Sequence, residues 1–274
     1  MTIAHIVILL ATGAVTGFAG SLLGLGGAFI MTPVQYAIYS DMGIPTDIAI
    51  KLAFGTNMLV IFPTAISGTW RYHRQGAVFW QAAVIMGGCS LAGSLAGATL
   101  ATNLPGEALK ITFGAIIIVS GIRMLTAKQP DIEEAPVTNR WLWGVWALFM
   151  SFAAGLLGMG GGVLAIPIMT LILRFKIHNA VATSLAMMIL TSIGGIIGYI
   201  SNGIGAPDLP VYSFGYVNLQ AWLLLAVPSI VMAQIGATIA RRTPDRRLAY
   251  IFILITFYLG LRMIGLFEWL GWPL

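Results

Sequence analysis

Two glycine clusters stand out as residues whose type and spacing could do chemistry. Gly24, Gly26 and Gly27 sit in Gly24-Leu-Gly-Gly…Pro33. Gly158, Gly160, Gly161 and Gly162 sit in Gly158-Met-Gly-Gly…Pro167, and both clusters lie inside apolar runs. Glycine enters left-handed backbone without a Cβ penalty, so each cluster predicts a helix broken at membrane depth, where protein or a watery cavity must satisfy the freed backbone. A helix restarting after such a break presents N–H groups with no intrahelical partner at the positive end of its dipole, which is an anion site. Two such N-termini arriving from opposite faces would hold one anion at the midplane. The spaced pairs Gly13/Gly17, Gly93/Gly97 and Gly194/Gly198 read instead as close helix packing.

Thr56-Asn57 and Thr183-Ser184 occupy corresponding places early in the element after each glycine cluster. Hydroxyl and amide groups donate to an oxyanion without adding a charge that would trap it. The competing reading is interhelical or i−4 backbone hydrogen bonding, common for Ser and Thr in membranes. Lys51 aligns with His178 and Arg123 with Arg262, placing cationic positions near helix ends. There they could attract an anion or serve coupling, or simply snorkel to the interface. All nine acids lie in or beside loops, which argues against a cation pump or a carboxylate proton relay. His5, His73 and His178 are scattered among different loops and Cys89 is the one cysteine, so no metal or disulfide pattern forms. With no dinucleotide fingerprint, Walker motif or nucleophile elbow, the residues imply neither an enzyme nor a cofactor.

The elements that must position these residues are membrane helices. Of 274 residues 58% are apolar and 8% charged, against about a quarter charged in soluble domains. Apolar runs cover 3–23, 52–70, 77–101, 111–122, 141–173, 179–200, 217–240 and 248–261, several of them at or above the ~18–20 residues needed to span a bilayer. The first run ends in small residues as a signal peptide would. It lacks a basic n-region and recurs later in the chain, so it reads as mature structure. The recurrence is extensive. Besides the glycine motifs, Gly55-Thr56-Asn57-Met58 answers Ala182-Thr183-Ser184-Leu185, Gly97-Ala-Thr-Leu-Ala101 answers Gly236-Ala-Thr-Ile-Ala240, and Gly121-Ile-Arg-Met-Leu125 answers Gly260-Leu-Arg-Met-Ile264. The offsets are 134, 127, 139 and 139, so the order is kept while loops change length. The chain divides into a first repeat over 1–127, a polar linker over 128–139 and a second repeat over 140–274.

Each half reads as a re-entrant, Gly-broken helical hairpin followed by three transmembrane helices. The short segment 28–39 supplies only about 18 Å of helix against a hydrocarbon core of about 30 Å. Each half then crosses an odd number of times, and the second is inverted relative to the first. On that scheme 11 basic residues lie on one side and 3 on the other, whereas a parallel arrangement splits them 6 to 8. The positive-inside rule therefore favours inversion, a cytoplasmic linker and both termini outside. The net charge of +5 sits in short loops and reports orientation, so nucleic acid is not an expected partner. Trp141, Trp143 and Trp146 read as interface anchors.

With these motifs in place the chain resembles the TauE/SafE sulfite-exporter family of membrane permeases. The resemblance rests on Gly24-Leu-Gly-Gly…Pro33, its copy Gly158-Met-Gly-Gly…Pro167, the Ala182-Thr-Ser-Leu185 element and the four-segment halves, and covers nearly the whole chain. It implies an inner-membrane permease for sulfite or a small organosulfonate. The sequence has Gly55-Thr-Asn57 where the family's first half carries Gly-Thr-Ser, which leaves room for another oxyanion or sulfur compound. An anion channel built on the same half-helices is the rival within transport. A homodimer is the protein partner left open.

Overall fold

The computed structural model describes residues 1–126, 137–240 and 257–265, and the side chains of Gly121 and 123–126 lie outside that description. Nine helices carry names: α1 (Ile3–Leu23), α2 (Ala28–Asp41), α3 (Thr46–Arg74), α4 (Trp80–Asn103), α5 (Gly106–Thr126), α6 (Arg140–Leu157), α7 (Gly162–Leu171), α8 (Ile177–Gly203) and α9 (Leu219–Ile239). A further helical stretch covers 257–264. Six helices are long and apolar enough to cross a membrane: α1, α3, α4, α6, α8 and α9. The all-helical, polytopic architecture read from the apolar runs is therefore the one observed. The 14-residue α2 and 10-residue α7 are about 21 and 15 Å long, well short of a bilayer core.

These short helices fold back on their predecessors. Asp41, at the end of α2, meets His5, near the start of α1, with His5 Nε2 3.1 Å from Asp41 Oδ2. In the second half the N–H of Val137, just before α6, donates to the carbonyl of Leu173, just after α7, at 3.0 Å. Each broken segment is thus a hairpin whose ends meet and whose apex is the glycine cluster. Trp143 is a correction to the sequence reading. It is 1% exposed and lies against Phe79 and Phe175, with its indole N–H on the Val137 carbonyl, so it closes the foot of the second hairpin and is no interface anchor. Trp141, by contrast, is 83% exposed.

Close packing at small residues sets the helix directions. Gly13 and Gly17 of α1 lie on Leu225 and Ser229 of α9, and Gly236 lies on Phe18, so α1 and α9 run parallel. Gly93 and Gly97 of α4 lie on Ser151 and Phe152 of α6, and Gly194 and Gly198 of α8 on Leu91 and Ala98 of α4, so these three helices also run parallel to one another. α3 joins α1 and α9, since Thr64 meets Ser229 and Arg71 meets Thr238. Against α8 it runs antiparallel, with Gly55 facing Tyr199, Gly68 facing Leu185 and the Tyr72 ring 5.5 Å from that of His178. Without a hydrophobic force between helices in lipid, such backbone approach through glycine supplies the dispersion contact that holds them. The spaced glycine pairs thus serve packing, as their spacing suggested. The change of offset from 127 to 139 is also accounted for, because irregular 204–218 between α8 and α9 answers the short 75–79 between α3 and α4.

Candidate functional site

Each hairpin apex is built by the same local device. The N–H of Leu25 bonds back to the Gly20 carbonyl at 3.0 Å, and that of Met159 to the Ala154 carbonyl at 3.0 Å. This six-residue closure ends α1 and α6 and requires a left-handed residue one place earlier, where Gly24 has φ +68° and Gly158 φ +62°. Two further left-handed glycines in each apex, Gly26 and Gly27 or Gly160 and Gly161, turn the chain into α2 and α7. Gly27 and Gly161 are the N-caps of those helices, and neither helix N-terminus receives a side-chain hydrogen bond.

The two apices touch. A Cβ on Gly162 would strike the Gly24 carbonyl and lie 2.8 Å from Leu25 Cα, and one on Gly26 would lie 3.5 Å from the Met159 carbonyl. Around this contact the halves exchange equivalent neighbours. Gly24 lies on Val181 of α8, and Gly158 on Phe54 of α3. Ile61 of α3 lies beside Gly26 and Gly160, while Met188 of α8 lies beside Gly26 and Gly162. Phe54 and Val181, like Ile61 and Met188, stand at the 127-residue offset of the two threonines. The two glycine apices are therefore in contact, walled by Phe54 and Ile61 of α3 and by Val181 and Met188 of α8.

The polar candidates Thr56, Asn57, Thr183 and Ser184 are all buried, and the structure gives each a partner. Thr56 Oγ1 accepts the N–H of Asn218, the N-cap of α9, at 2.9 Å. Thr183 Oγ1 accepts the N–H of Phe79, the N-cap of α4, at 3.1 Å. Each threonine thus anchors the start of a helix in the opposite half, and the Thr56 hydroxyl also bonds the Tyr39 side chain. Asn57 is engaged on both sides, accepting from Gln35 Nε2 at 2.5 Å and donating to Thr32 Oγ1 at 2.6 Å. It joins α3 to the returning leg of the first hairpin. Ser184 donates to the Val181 carbonyl at 2.9 Å, with the Gly24 carbonyl at 3.4 Å, so it lies directly under the first apex.

The cationic candidates stand apart from the apices. Lys51 is 4% exposed, paired with Asp47 at 2.8 Å, and 5.9 Å from the centre of the Tyr216 ring. Burial, then the nearby Asp47 charge, raise the Tyr216 phenol above its ordinary range, so the ring faces the ammonium as a neutral partner. His178 packs on Tyr72 at the opposite end of the α3/α8 pair, and Arg262 is exposed. The Arg123 side chain lies outside the described residues. Two residues that the sequence reading passed over are Tyr72 and Tyr199, both fully buried. Tyr72 donates its hydroxyl to the Ser21 carbonyl at 3.1 Å and Tyr199 to the Gly155 carbonyl at 2.9 Å. They share the 127-residue offset, and that periodicity was the available signal.

Comparison with known proteins agrees with this architecture. A family model described as sulfite exporter TauE/SafE matches residues 9–263. A probable membrane transporter protein of Methanocaldococcus jannaschii is 31% identical over 94% of each chain. Similar proteins of the same description occur in Haemophilus influenzae, at 25% identity over 94% of this chain and 97% of the relative, and in Bacillus subtilis, at 28% over 96% and 99%. No solved structure gives a significant match.

Proposed function

This chain belongs to the sulfite exporter TauE/SafE family of membrane transporters, and from that premise we propose that it carries a small anion, sulfite or an organosulfonate, between the two glycine apices by alternating access. The observation that carries the reading is the meeting of two uncapped helix N-termini, α2 and α7, beside touching apices in the interior of a lipid-embedded protein. Helix starts without a side-chain cap in such an interior favour a ligand that supplies the missing negative charge. The binding set is backbone around Gly24, Gly26, Gly27, Gly158, Gly160 and Gly161, with hydroxyls of Thr56, Thr183 and Ser184 nearby and Asn57 in support. Neutral donors bind an anion without trapping it, and release is part of transport.

The reading includes inversion of the two halves, 1–127 and 140–274. The antiparallel course of α3 and α8, and the opposite directions of the α1/α3/α9 and α4/α6/α8 sets, support it. It places the chain in the inner membrane with both termini extracytoplasmic. Ile61 and Met188 close the apex contact, so passage requires the halves to shift, which favours a carrier over an open channel. Purified protein in liposomes tests this. Saturable sulfite counterflow is the expected result, and non-saturating conductance would assign the channel mechanism instead.

A further inference from the structure

A re-entrant hairpin is not anion-selective by itself. Its apex brings together the positive end of one helix and the negative end of another, because a helix end leaves its last carbonyls, and a helix start its first N–H groups, without intrahelical partners, and α1 and α6 stop there while α2 and α7 start. The charge that such a site accepts depends on which set the protein satisfies. In this chain the carbonyl set is the satisfied one. The Gly20 carbonyl accepts from Leu25, and the Ala154 carbonyl from Gly158 and Met159. Leu25 has bonded one residue further back than a continuing helix would, so the Ser21 carbonyl loses its i+4 partner, and the Tyr72 hydroxyl takes it at 3.1 Å. In the second half the Tyr199 hydroxyl takes the Gly155 carbonyl at 2.9 Å and reaches that of Leu156 at 3.3 Å. Ser184 lies 3.4 Å from the Gly24 carbonyl. Among the described residues no side-chain cap hydrogen bond does the converse service at the start of α2 or α7.

We infer that Tyr72 and Tyr199 are selectivity-determining positioning residues, whose hydroxyls neutralise the carbonyl ends of α1 and α6 and so give the paired apices their preference for an anion. The inference rests on the proposed anion site and names the residues that decide its sign. Both tyrosines act through backbone carbonyls and do not touch the substrate. Both are fully buried, lie three residues before the left-handed Gly24 and Gly158 in the carbonyl they address, and stand at equivalent positions of the two halves. A tyrosine needed only for packing would not have to aim its hydroxyl at a carbonyl in the last turn before the glycine apex of its own hairpin in each half.

The test is calorimetric titration of the detergent-solubilised protein with sulfite, thiosulfate and sulfoacetate. Tyr72→Phe and Tyr199→Phe should each weaken sulfite binding about tenfold, the factor corresponding to ~1.4 kcal/mol. Because an exposed carbonyl dipole opposes ligand charge, the loss should be larger for doubly charged sulfite than for singly charged bisulfite, read by titrating above and below neutral pH. Trp222→Phe removes a comparable donor, from the Leu59 carbonyl, and should leave affinity unchanged. Unchanged affinity in both tyrosine variants, or an equal loss for both charge states, would overturn the inference while leaving the anion site standing. Failure of the native protein to bind any of the three anions would instead remove the site and the inference with it. Where a phenylalanine variant does not fold, 3-fluorotyrosine at the same position keeps the ring and strengthens the donor. Affinity should then rise, and a constant or lower value counts against the role.

Discussion

At the scale of single residues, the glycines of the two apices are not equivalent, although Gly24, Gly26, Gly27, Gly158, Gly160 and Gly161 all have positive φ. Gly27, at φ +76°, has the Thr16 carbonyl 2.8 Å from where a Cβ would stand, whereas the nearest atom to a Cβ on Gly161, at φ +101°, is 3.5 Å away. Gly161→Ala meets only the backbone penalty, about 1–2 kcal/mol, while Gly27→Ala adds a clash with main chain that cannot rotate away. Thermal unfolding in detergent should therefore rank Gly27→Ala below Gly161→Ala, and the reverse order would contradict the packing of the first hairpin. Asn57 yields a second prediction. Asn57→Ala strips partners from Gln35 and Thr32 in a dry interior, and the loss of stability should be about 1–3 kcal/mol for each group left unpaired. Asn57→Ser at the same position, the residue the family's Gly-Thr-Ser form carries, should recover part of that loss. Its effect on sulfite affinity separates a structural Asn57 from one that touches substrate.

At the scale of elements, the hairpins and their ties explain how flexible parts are kept in register. Each hairpin is anchored at its foot, by His5 with Asp41 in one half and by Val137 with Leu173 in the other. The threonines work between halves. Thr56 holds the first N–H of the α9 cap and Thr183 that of the α4 cap, so the position of each later helix depends on the opposite repeat. Thr56→Val should therefore loosen the start of α9, and Thr183→Val the start of α4. Hydrogen exchange should report faster labelling at 216–222 in the first variant and at 78–83 in the second, with the reciprocal segment unaffected. Equal acceleration of both segments in either variant would show that the ties are not separate.

At the scale of the whole molecule, the directions of the helices predict sidedness. Arg74 and Asn139 stand at one end of the bundle, Met42 and Pro207 at the other, and all four are exposed. In a Cys89→Ser background, single cysteines at 74 and 139 should label only from the cytoplasmic side, and those at 42 and 207 only from outside. Opposite labelling of 42 and 207 would refute inversion. The described basic residues near helix ends segregate accordingly, with Arg71, Arg74, Arg140, Arg174 and Lys176 at the first end and Lys51 and Lys110, each paired with an acid one turn away, at the second.

The residues alone were enough to read a helical membrane protein with two recurring glycine motifs at which its helices break. Lipid allows only helices across its core, and apolar length, repeat offset and glycine content are local properties of a string of residues. The same local logic located the candidate anion site, because left-handed backbone and uncapped N–H groups follow from the glycine pattern. Only the tertiary structure decided what the polar side chains do. Thr56 and Thr183 proved to bond a backbone N–H of the other half, Asn57 proved to join α3 to α2, and Trp143 proved to be core, since each partner lies far away along the chain. Tyr72 and Tyr199 acquired a role for the same reason. A phenol gives no such sign in the sequence until folding sets it 3.1 or 2.9 Å from a carbonyl in the last turn of a helix.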